Sequence, residues 1–217
     1  MRCDSSTMKL YAVTDRSWLG GRTLYEQVEE ALLGGVTCVQ LREKNLSEEA
    51  FLAEAISLGR LCRKYGVPFI INDNLEIAQK CGADGVHVGQ DDMRPDEVRR
   101  RAGDKMIIGV TAHTVAEAVE AQKRGADYLG AGAVFQTGTK SNTVALSYET
   151  LQAICASVQI PVVAIGGISK SNLMALAGSG VSGVAVVSAI FAAEDVRTAS
   201  AELLALSGKM TGQGETG

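Results

Sequence analysis

The chain has 217 residues, of which 46% are hydrophobic, 5% aromatic and 21% charged, and its formal net charge is -4. This length supports one sizeable hydrophobic core and therefore one domain. The mild negative charge and the scarcity of aromatic residues exclude a nucleic-acid-binding stripe and a basic membrane-surface patch, so we expect a small-molecule partner.

The five cysteines lie far apart and include no Cys-x-x-Cys pair, which predicts reduced thiols rather than a disulfide framework or a zinc site. Cys38 and Cys155 have no neighbouring His in the sequence and do not indicate a thiolate nucleophile. Residues 1–8 lack an apolar leader segment, and no later stretch approaches the roughly 20 apolar residues of a membrane span. We therefore expect a cytoplasmic protein with an N-terminal extension over residues 1–8.

Short β-branched segments alternate along the chain with longer segments of helical periodicity. The predicted strands are 9–14, 37–41, 67–72, 85–88, 106–111, 128–130, 161–165 and 184–187. The predicted helices are 24–33, 48–65, 75–80, 95–101, 115–124, 148–157, 172–177 and 196–206. This repeat predicts a single-domain (β/α)8 TIM barrel over residues 9–207, followed by a disordered tail over 208–217. The alternative is a doubly wound sheet, but the dinucleotide fingerprint expected after its first strand is missing.

Acidic residues follow the third and fourth predicted strands, where Asp73 and Asp92 stand. The carboxyl ends of the strands of a barrel meet at one rim, which is where such folds carry their reactive groups. Two carboxylates there suit Mg2+, which keeps several water ligands and is completed by substrate phosphate oxygens. The alternative is that both acids form ion pairs with Arg42 or Lys44.

Cationic and small residues occupy the other strand ends. Arg42, Lys44 and Lys140 indicate a polyanionic substrate. A Gly166-Gly167-Ile168-Ser169 segment follows the seventh strand and Val187-Ser188 follows the eighth, and these two loops often form a phosphate site in barrels. The alternative is that the glycines only turn the chain.

Two histidines could serve as acid–base catalysts. His87 lies inside a predicted strand, however, and His113 borders a helix start. We therefore expect both to be hydrogen-bonded structural residues.

Taken together, these segments resemble the thiamine phosphate synthase family from about residue 10 to residue 193. The motifs that carry the resemblance are Gln40-Leu41-Arg42-Glu43-Lys44, Asn72-Asp73, His87-Val88-Gly89-Gln90-Asp91-Asp92, Gly109-Val110-Thr111-Ala112-His113, Thr137-x-Thr139-Lys140, Gly166-Gly167-Ile168 and Val187-Ser188. The resemblance implies a (β/α)8 barrel that joins hydroxymethylpyrimidine diphosphate to a thiazole phosphate and releases pyrophosphate. The diphosphate is expected to leave first, after which the thiazole nitrogen captures the pyrimidine-stabilised methylene cation, so no general base is required.

The resemblance also assigns residues to the two substrates. The pyrimidine diphosphate would be held by Gln40, Arg42, Lys44, Asn72, Thr111 and Lys140. The thiazole phosphate would be received by Thr137, Thr139, Gly167, Val187 and Ser188. Asp73 and Asp92 would hold Mg2+, while the cations Arg42, Lys44 and Lys140 would stabilise the departing diphosphate during catalysis.

The chain departs from the family pattern at two positions. Thr111 stands where serine is usual and keeps the hydroxyl, whereas Gln136 stands where proline is common and leaves the following loop less rigid. One rival function is a thiazole tautomerase, which generally has a histidine near the position of Ala133. Another is a non-catalytic barrel that senses thiamine phosphate. The sequence leaves open whether the thiazole is carboxylated, which loops close over the substrates, and whether the protein is a monomer or a homodimer.

Overall fold

The computed structural model describes residues 3–136 and 145–212. Eight parallel strands form a closed barrel in which neighbours along the chain are neighbours in the sheet. The strands are β1 (Leu10–Val13), β2 (Cys38–Leu41), β3 (Phe69–Asn72), β4 (Gly85–Val88), β5 (Ile107–Ala112), β6 (Tyr128–Gly132), β7 (Val162–Ile165) and β8 (Gly183–Val186). The predicted single-domain (β/α)8 barrel is confirmed.

The connecting segments carry helices with clear start and stop signals. They are α1 (Leu24–Leu33), α2 (Glu48–Tyr65), α3 (Leu75–Cys81), α4 (Pro95–Ala102), α5 (Val115–Lys123), α6 (Tyr148–Ser157), α7 (Ser188–Phe191) and α8 (Val196–Met210). At the start of α1, Thr23 and Glu26 form a capping box that satisfies two backbone N–H groups. Gly66 ends α2 with a left-handed φ of 69°, a conformation that glycine adopts without a steric penalty. Among the described residues, none of the helices is both long enough and apolar enough to cross a lipid bilayer.

The strands are buried on both faces, so alternate residues serve two different cores. Leu10, Ala12, Val39 and Leu41 point outwards into the layer between barrel and helices. A separate cluster fills the lower barrel interior: Met8, Tyr11, Val13, Cys38, Ile70, Ile107, Tyr128, Val163 and Ala185. Above this cluster, towards the carboxyl ends of the strands, the interior becomes polar and opens into a cavity.

Three elements after β7 differ from the sequence prediction. The helix predicted over 172–177 is a single 3-10 turn, Leu173–Leu176, because the glycines at 178 and 180 leave too few residues to continue it. The short helix α7 was not predicted. Helix α8 continues to Met210, which is 5% exposed, so residues 208–210 belong to a helix rather than to a tail. The division into extension, barrel and tail otherwise remains a prediction.

Candidate active site

One cavity opens at the rim formed by the carboxyl ends of the strands. Seven of the residues predicted to bind substrate line it: Gln40, Arg42, Asn72, Thr111, Gly167, Val187 and Ser188. Lys44, Asp73 and Asp92 follow β2, β3 and β4 in loops of the same rim. The fold therefore brings the predicted residues together, while their individual roles stay predictions. The predicted residues Thr137, Thr139 and Lys140 lie outside the described residues.

Asp73 and Asp92 follow two neighbouring strands. Asp73 has a backbone φ of 62°, and its N–H donates to the carbonyl of His87 at 2.8 Å. Such left-handed backbone is uncommon in residues other than glycine and concentrates at functional sites. The carboxylate of Asp92 accepts a hydrogen bond of 2.7 Å from the N–H of Gly89, which fixes its position beside β4.

The carboxylates of Asp73 and Asp92 repel each other. Asp73 is exposed at the rim, and partial desolvation by the neighbouring atoms is the first cause of the raised pKa of its carboxyl; the charge of Asp92 is the second. The Lys44 ammonium and a hydrogen bond involving Asn72 act in the opposite direction. Among the described residues, no ion pair joins either aspartate to Arg42 or Lys44. Within residues 3–136 and 145–212, the negative charge of the two aspartates is therefore not neutralised by an ion pair.

The chemistry of this pair fits magnesium better than a closed metal site. The described residues contain no group of three or more His, Cys, Asp or Glu side chains that could hold an ion alone. A structural zinc ion needs four protein ligands, whereas Mg2+ is usually held by one or two carboxylates together with substrate phosphates and water. A cation between Asp73 and Asp92 would also relieve their repulsion. The donor set therefore fits Mg2+ shared with a phosphorylated substrate.

The loop after β2 is anchored on two sides. The N–H of Arg42 donates to the hydroxyl of Thr14 at 3.0 Å. The side chain of Glu43 is only 5% exposed and pairs with Arg16 at 2.7 Å, while Arg16 also pairs with Glu54. Burial raises the pKa of Glu43, and the Arg16 guanidinium opposes this shift. These contacts fix the backbone that presents Arg42 to the cavity.

Glycines shape the opposite side of the mouth. Gly166 and Gly167 have φ values of 101° and 66°, which favour glycine. A Cβ on Gly167 would lie 2.3 Å from the carbonyl oxygen of Gln136, so this loop packs directly on the segment after β6. The side-chain amide of Asn172 donates to the carbonyl of Gly167 at 2.8 Å. The glycines thus do turn the chain, and the half-buried Gly167 also lines a second, adjoining cavity together with Ser188.

Both histidines border the main cavity. The ring of His87 lies between the hydroxyls of Tyr128 and Thr111, 3.0 Å from each. The Nδ1 of His113 lies 2.7 Å from the carbonyl oxygen of Gly132. They make the hydrogen bonds expected of structural histidines, but the sequence did not indicate that they also face the cavity.

The cysteines offer no nucleophile. All five are free thiols. Burial raises the pKa of Cys38 well above its ordinary value and the pKa of Cys155 to about 11. Both thiols are therefore protonated at neutral pH, in agreement with the sequence prediction.

Comparison with known proteins identifies the family. The family model described as thiamine monophosphate synthase matches residues 10–190. The chain belongs to this family. It is 49% identical over 195 residues to the thiamine-phosphate synthase of Ruminiclostridium cellulolyticum, covering 90% of this chain and 93% of the relative. It is 47% identical to that of Clostridium tetani, covering 89% of this chain and 93% of the relative.

A solved structure agrees with the sequence comparisons. Thiamine phosphate pyrophosphorylase from Pyrococcus furiosus superposes with a TM-score of 0.87 and 40% sequence identity, covering 95% of this chain and 98% of that chain. The predicted membership of the thiamine phosphate synthase family and the predicted transferase class are both confirmed. The position at which the resemblance places a tautomerase histidine is Ala133, which lines the cavity as a small apolar residue.

Proposed function

We propose that this member of the thiamine phosphate synthase family joins hydroxymethylpyrimidine diphosphate to a thiazole phosphate, giving thiamine phosphate and pyrophosphate. The observation that carries the proposal is that the cavity at the barrel rim has two differently built sides. Arg42 and Asn72 line it near the aspartate pair at the ends of β2 to β4. Gly167 and Ser188 line it at the ends of β7 and β8. Such a cavity suits two phosphorylated substrates.

The diphosphate is assigned to the side of the aspartate pair. Arg42 lines the cavity on an anchored loop, and Lys44 lies two residues further along the same loop. Fixed cations stabilise a departing anion without reorganising during the reaction, which is typically worth several kcal/mol of barrier. Lys140 is proposed as the third cation from the family resemblance.

Mg2+ is the proposed cofactor, with Asp73 and Asp92 as its protein ligands. When bound, it would supply positive charge to the leaving diphosphate. The residues of this chain have the remaining tasks of binding and orientation. Gln40, Asn72 and Thr111 line the cavity and are proposed to hold the pyrimidine diphosphate.

The thiazole phosphate is assigned to the glycine side. Gly167, Val187 and Ser188 line the cavity there, and Thr137 and Thr139 are added from the family resemblance. Holding the thiazole against the pyrimidine makes their encounter effectively unimolecular. The attacking ring nitrogen already has a lone pair, so no residue is assigned as a general base. The substrates are thus small molecules, and neither a nucleic acid nor a membrane is a proposed partner.

A reducing, cytoplasmic location is also part of the proposal, because all five cysteines are free thiols. Whether the protein works as a monomer or a homodimer stays open.

The test is incubation of the purified protein with both substrates and Mg2+, with pyrophosphate and thiamine phosphate measured together. Equal amounts of the two products are expected. Binding of thiamine phosphate without pyrophosphate release would instead support a sensor. Isomerisation of the thiazole phosphate alone would support a tautomerase, and either outcome would overturn the proposal.

A further inference from the structure

Five polar side chains form a continuous hydrogen-bonded chain across the barrel interior, called here the interior chain. The amide nitrogen of Gln40 donates to the hydroxyl of Tyr11 at 2.8 Å. The hydroxyls of Tyr11 and Tyr128 are 2.7 Å apart. Tyr128 is 3.0 Å from Nδ1 of His87, and Nε2 of His87 is 3.0 Å from the hydroxyl of Thr111. The chain therefore runs from one predicted substrate ligand to another through three residues without an assigned role.

The barrel strands leave room for the side chains of the interior chain. Tyr11 and Tyr128 are 1% and 0% exposed, so their hydroxyls are inside the protein. A Cβ on Gly109 would lie 2.1 Å from the Tyr128 ring and 2.5 Å from Nδ1 of His87. A Cβ on Gly130 would lie 3.2 Å from the His87 ring. Glycine weakens a strand interior, and these two positions on β5 and β6 make the room that the tyrosine and histidine occupy.

The hydrogen bonds of the interior chain can run in only two directions, because each tyrosine hydroxyl has one proton to donate. With the Gln40 amide donating to Tyr11, Tyr11 donates to Tyr128 and Tyr128 donates to Nδ1 of His87. Nε2 of His87 then carries the ring proton and donates to Thr111. Burial raises the pKa values of Tyr11 and Tyr128 well above the ordinary tyrosine value, so both hydroxyls keep their protons. In the reverse direction, Thr111 would donate to Nε2 of His87, Nδ1 would donate to Tyr128, and Tyr128 would donate to Tyr11. Tyr11 would then donate to the side-chain carbonyl of Gln40.

The alternative in which both nitrogens of His87 donate leaves a proton without a good acceptor. Tyr128 would then accept from His87 and donate to Tyr11, which already accepts from Gln40. The proton of the Tyr11 hydroxyl would be left with the sulfur of Cys38, which is a weak acceptor. A buried donor that exchanges a hydroxyl acceptor for a thiol is costly inside a protein.

We infer that His87 is a positioning residue, which the interior chain holds with its proton on Nε2 so that the Thr111 hydroxyl donates into the cavity. The hydroxyl accepts from His87, and this is its one hydrogen-bond partner among the described residues. Its proton is thereby offered to a ligand atom that accepts, such as an unprotonated nitrogen of a heteroaromatic ring, and a ring N–H at the same place is disfavoured. Only the identification of that ring as the pyrimidine rests on the proposed function.

The proton positions can be measured in the free protein by 15N NMR of histidine-labelled samples at about pH 8, above the ordinary histidine pKa. The expected spectrum for His87 has a pyridine-type Nδ1 and a pyrrole-type Nε2. His113 is an internal control with the opposite pattern, because its Nδ1 faces the Gly132 carbonyl, which can only accept. Tyr128→Phe should move His87 towards a mixture of the two tautomers and leave His113 unchanged. A pyrrole-type Nδ1 on His87 in the native protein would overturn the inference.

Kinetics test whether the interior chain acts through Thr111. Tyr128→Phe is expected to lower kcat/KM for the pyrimidine diphosphate about tenfold, the scale of one hydrogen bond, with the KM of the thiazole phosphate unchanged. In a Thr111→Ala background the same substitution should have less than about a twofold effect, because coupled residues are not additive. Thr111→Ser should restore most of the activity. An undiminished loss in the Thr111→Ala background would assign Tyr128 a purely structural role.

Two further measurements keep the test decisive. Tyr25→Phe removes the same hydroxyl from an exposed tyrosine on α1 and should leave the kinetics unchanged. If Tyr128→Phe does not fold, Tyr11→Phe breaks the interior chain one link earlier and should shift the His87 resonances in the same direction by a smaller amount. A protein without synthase activity but with the predicted His87 tautomer would refute the proposed function and leave the inference intact.

Discussion

Replacing Asp92 by asparagine should make the protein more stable and less active, because the two aspartates repel each other and are proposed to bind Mg2+. The substitution keeps an oxygen that can accept from the Gly89 N–H and removes one of the two repelling charges. Two unit charges about 4 Å apart in water repel by about 1 kcal/mol, and salt screening at an exposed rim reduces this to about 0.5 kcal/mol. The free energy of unfolding should therefore rise by about 0.5 kcal/mol, or about 1 to 2 °C in Tm.

The pH dependence of this gain follows from the raised pKa of Asp73. A carboxyl whose pKa is higher in the folded protein than in the unfolded chain binds its proton more tightly when folded. Its contribution to stability is complete below the ordinary value and is lost as pH rises through the folded pKa. The stability of the native protein should thus fall over that window, and Asp92→Asn should fall less because the charge of Asp92 contributes to the shift.

Activity should move in the opposite direction. If Asp92 is a Mg2+ ligand as proposed, its loss is expected to lower kcat at least 100-fold, the range of a single preorganised electrostatic contact. Thermal melts with and without MgCl2 provide a second measurement, in which Mg2+ should raise the Tm of the native protein more than that of the variant. Asp91→Asn removes the same charge one residue earlier and is the matched control. Near-native turnover of Asp92→Asn in Mg2+ buffer would refute the metal assignment, and a lowered Tm of the variant without Mg2+ would refute the repulsion between the two aspartates.

Three further substitutions test other parts of the site. Lys140→Ala should raise the activation free energy that corresponds to kcat/KM by about 1.5 to 3 kcal/mol, the scale of a charge-assisted contact. An unchanged kcat/KM would remove Lys140 from the site. Gly167→Ala, at a φ of 66°, should raise the KM of the thiazole phosphate about tenfold through a strain of about 1 to 3 kcal/mol, whereas Gly208→Ala, with nothing within 4 Å of the new Cβ, should not change that KM. Arg16→Met should destabilise the fold by about 1 to 2 kcal/mol at pH 7, because it leaves the buried carboxylate of Glu43 unpaired. That loss should shrink as pH falls through the raised pKa of Glu43, and urea titrations at pH 7 and pH 4.5 would contradict this account if they gave equal losses.

The barrel and the rim were predictable because they follow from local sequence signals. Alternating strand and helix patterns give the element order, and the carboxyl ends of parallel strands must share a rim. That is why Arg42, Asp73 and Asp92 could be placed together although the last two are separated by 19 positions. The prediction at 172–177 was wrong because a short segment with only five consecutive apolar residues fits either an α-helix or a 3-10 turn.

The hydrogen-bond partners within the interior chain could not be predicted from the sequence. Strands of a parallel barrel are buried on both faces, so their alternation does not say which set of residues faces the interior. Tyr11 and Tyr128 therefore resemble ordinary apolar strand residues. Their contact depends on the registers that relate β1 to β6 through β8 and β7. The polar residue inside β4, His87, and the glycine inside β5, Gly109, were the available signals, since neither suits a simple apolar strand.

The pairing of Arg16 with Glu43 shows the same limit. The two residues are 27 positions apart and lie in different loops. Their contact depends on the alignment of β1 with β2, which the sequence pattern does not encode. Long-range ion pairs of this kind become visible only once the register is known.

A crystal structure of the protein with thiamine phosphate, pyrophosphate and Mg2+ tests the central claim most directly. The account predicts a metal ion bound by Asp73 and Asp92, with the pyrophosphate between that ion and Arg42. Pyrophosphate bound beside Gly167 and Ser188 instead, with no ion at the two aspartates, would contradict it.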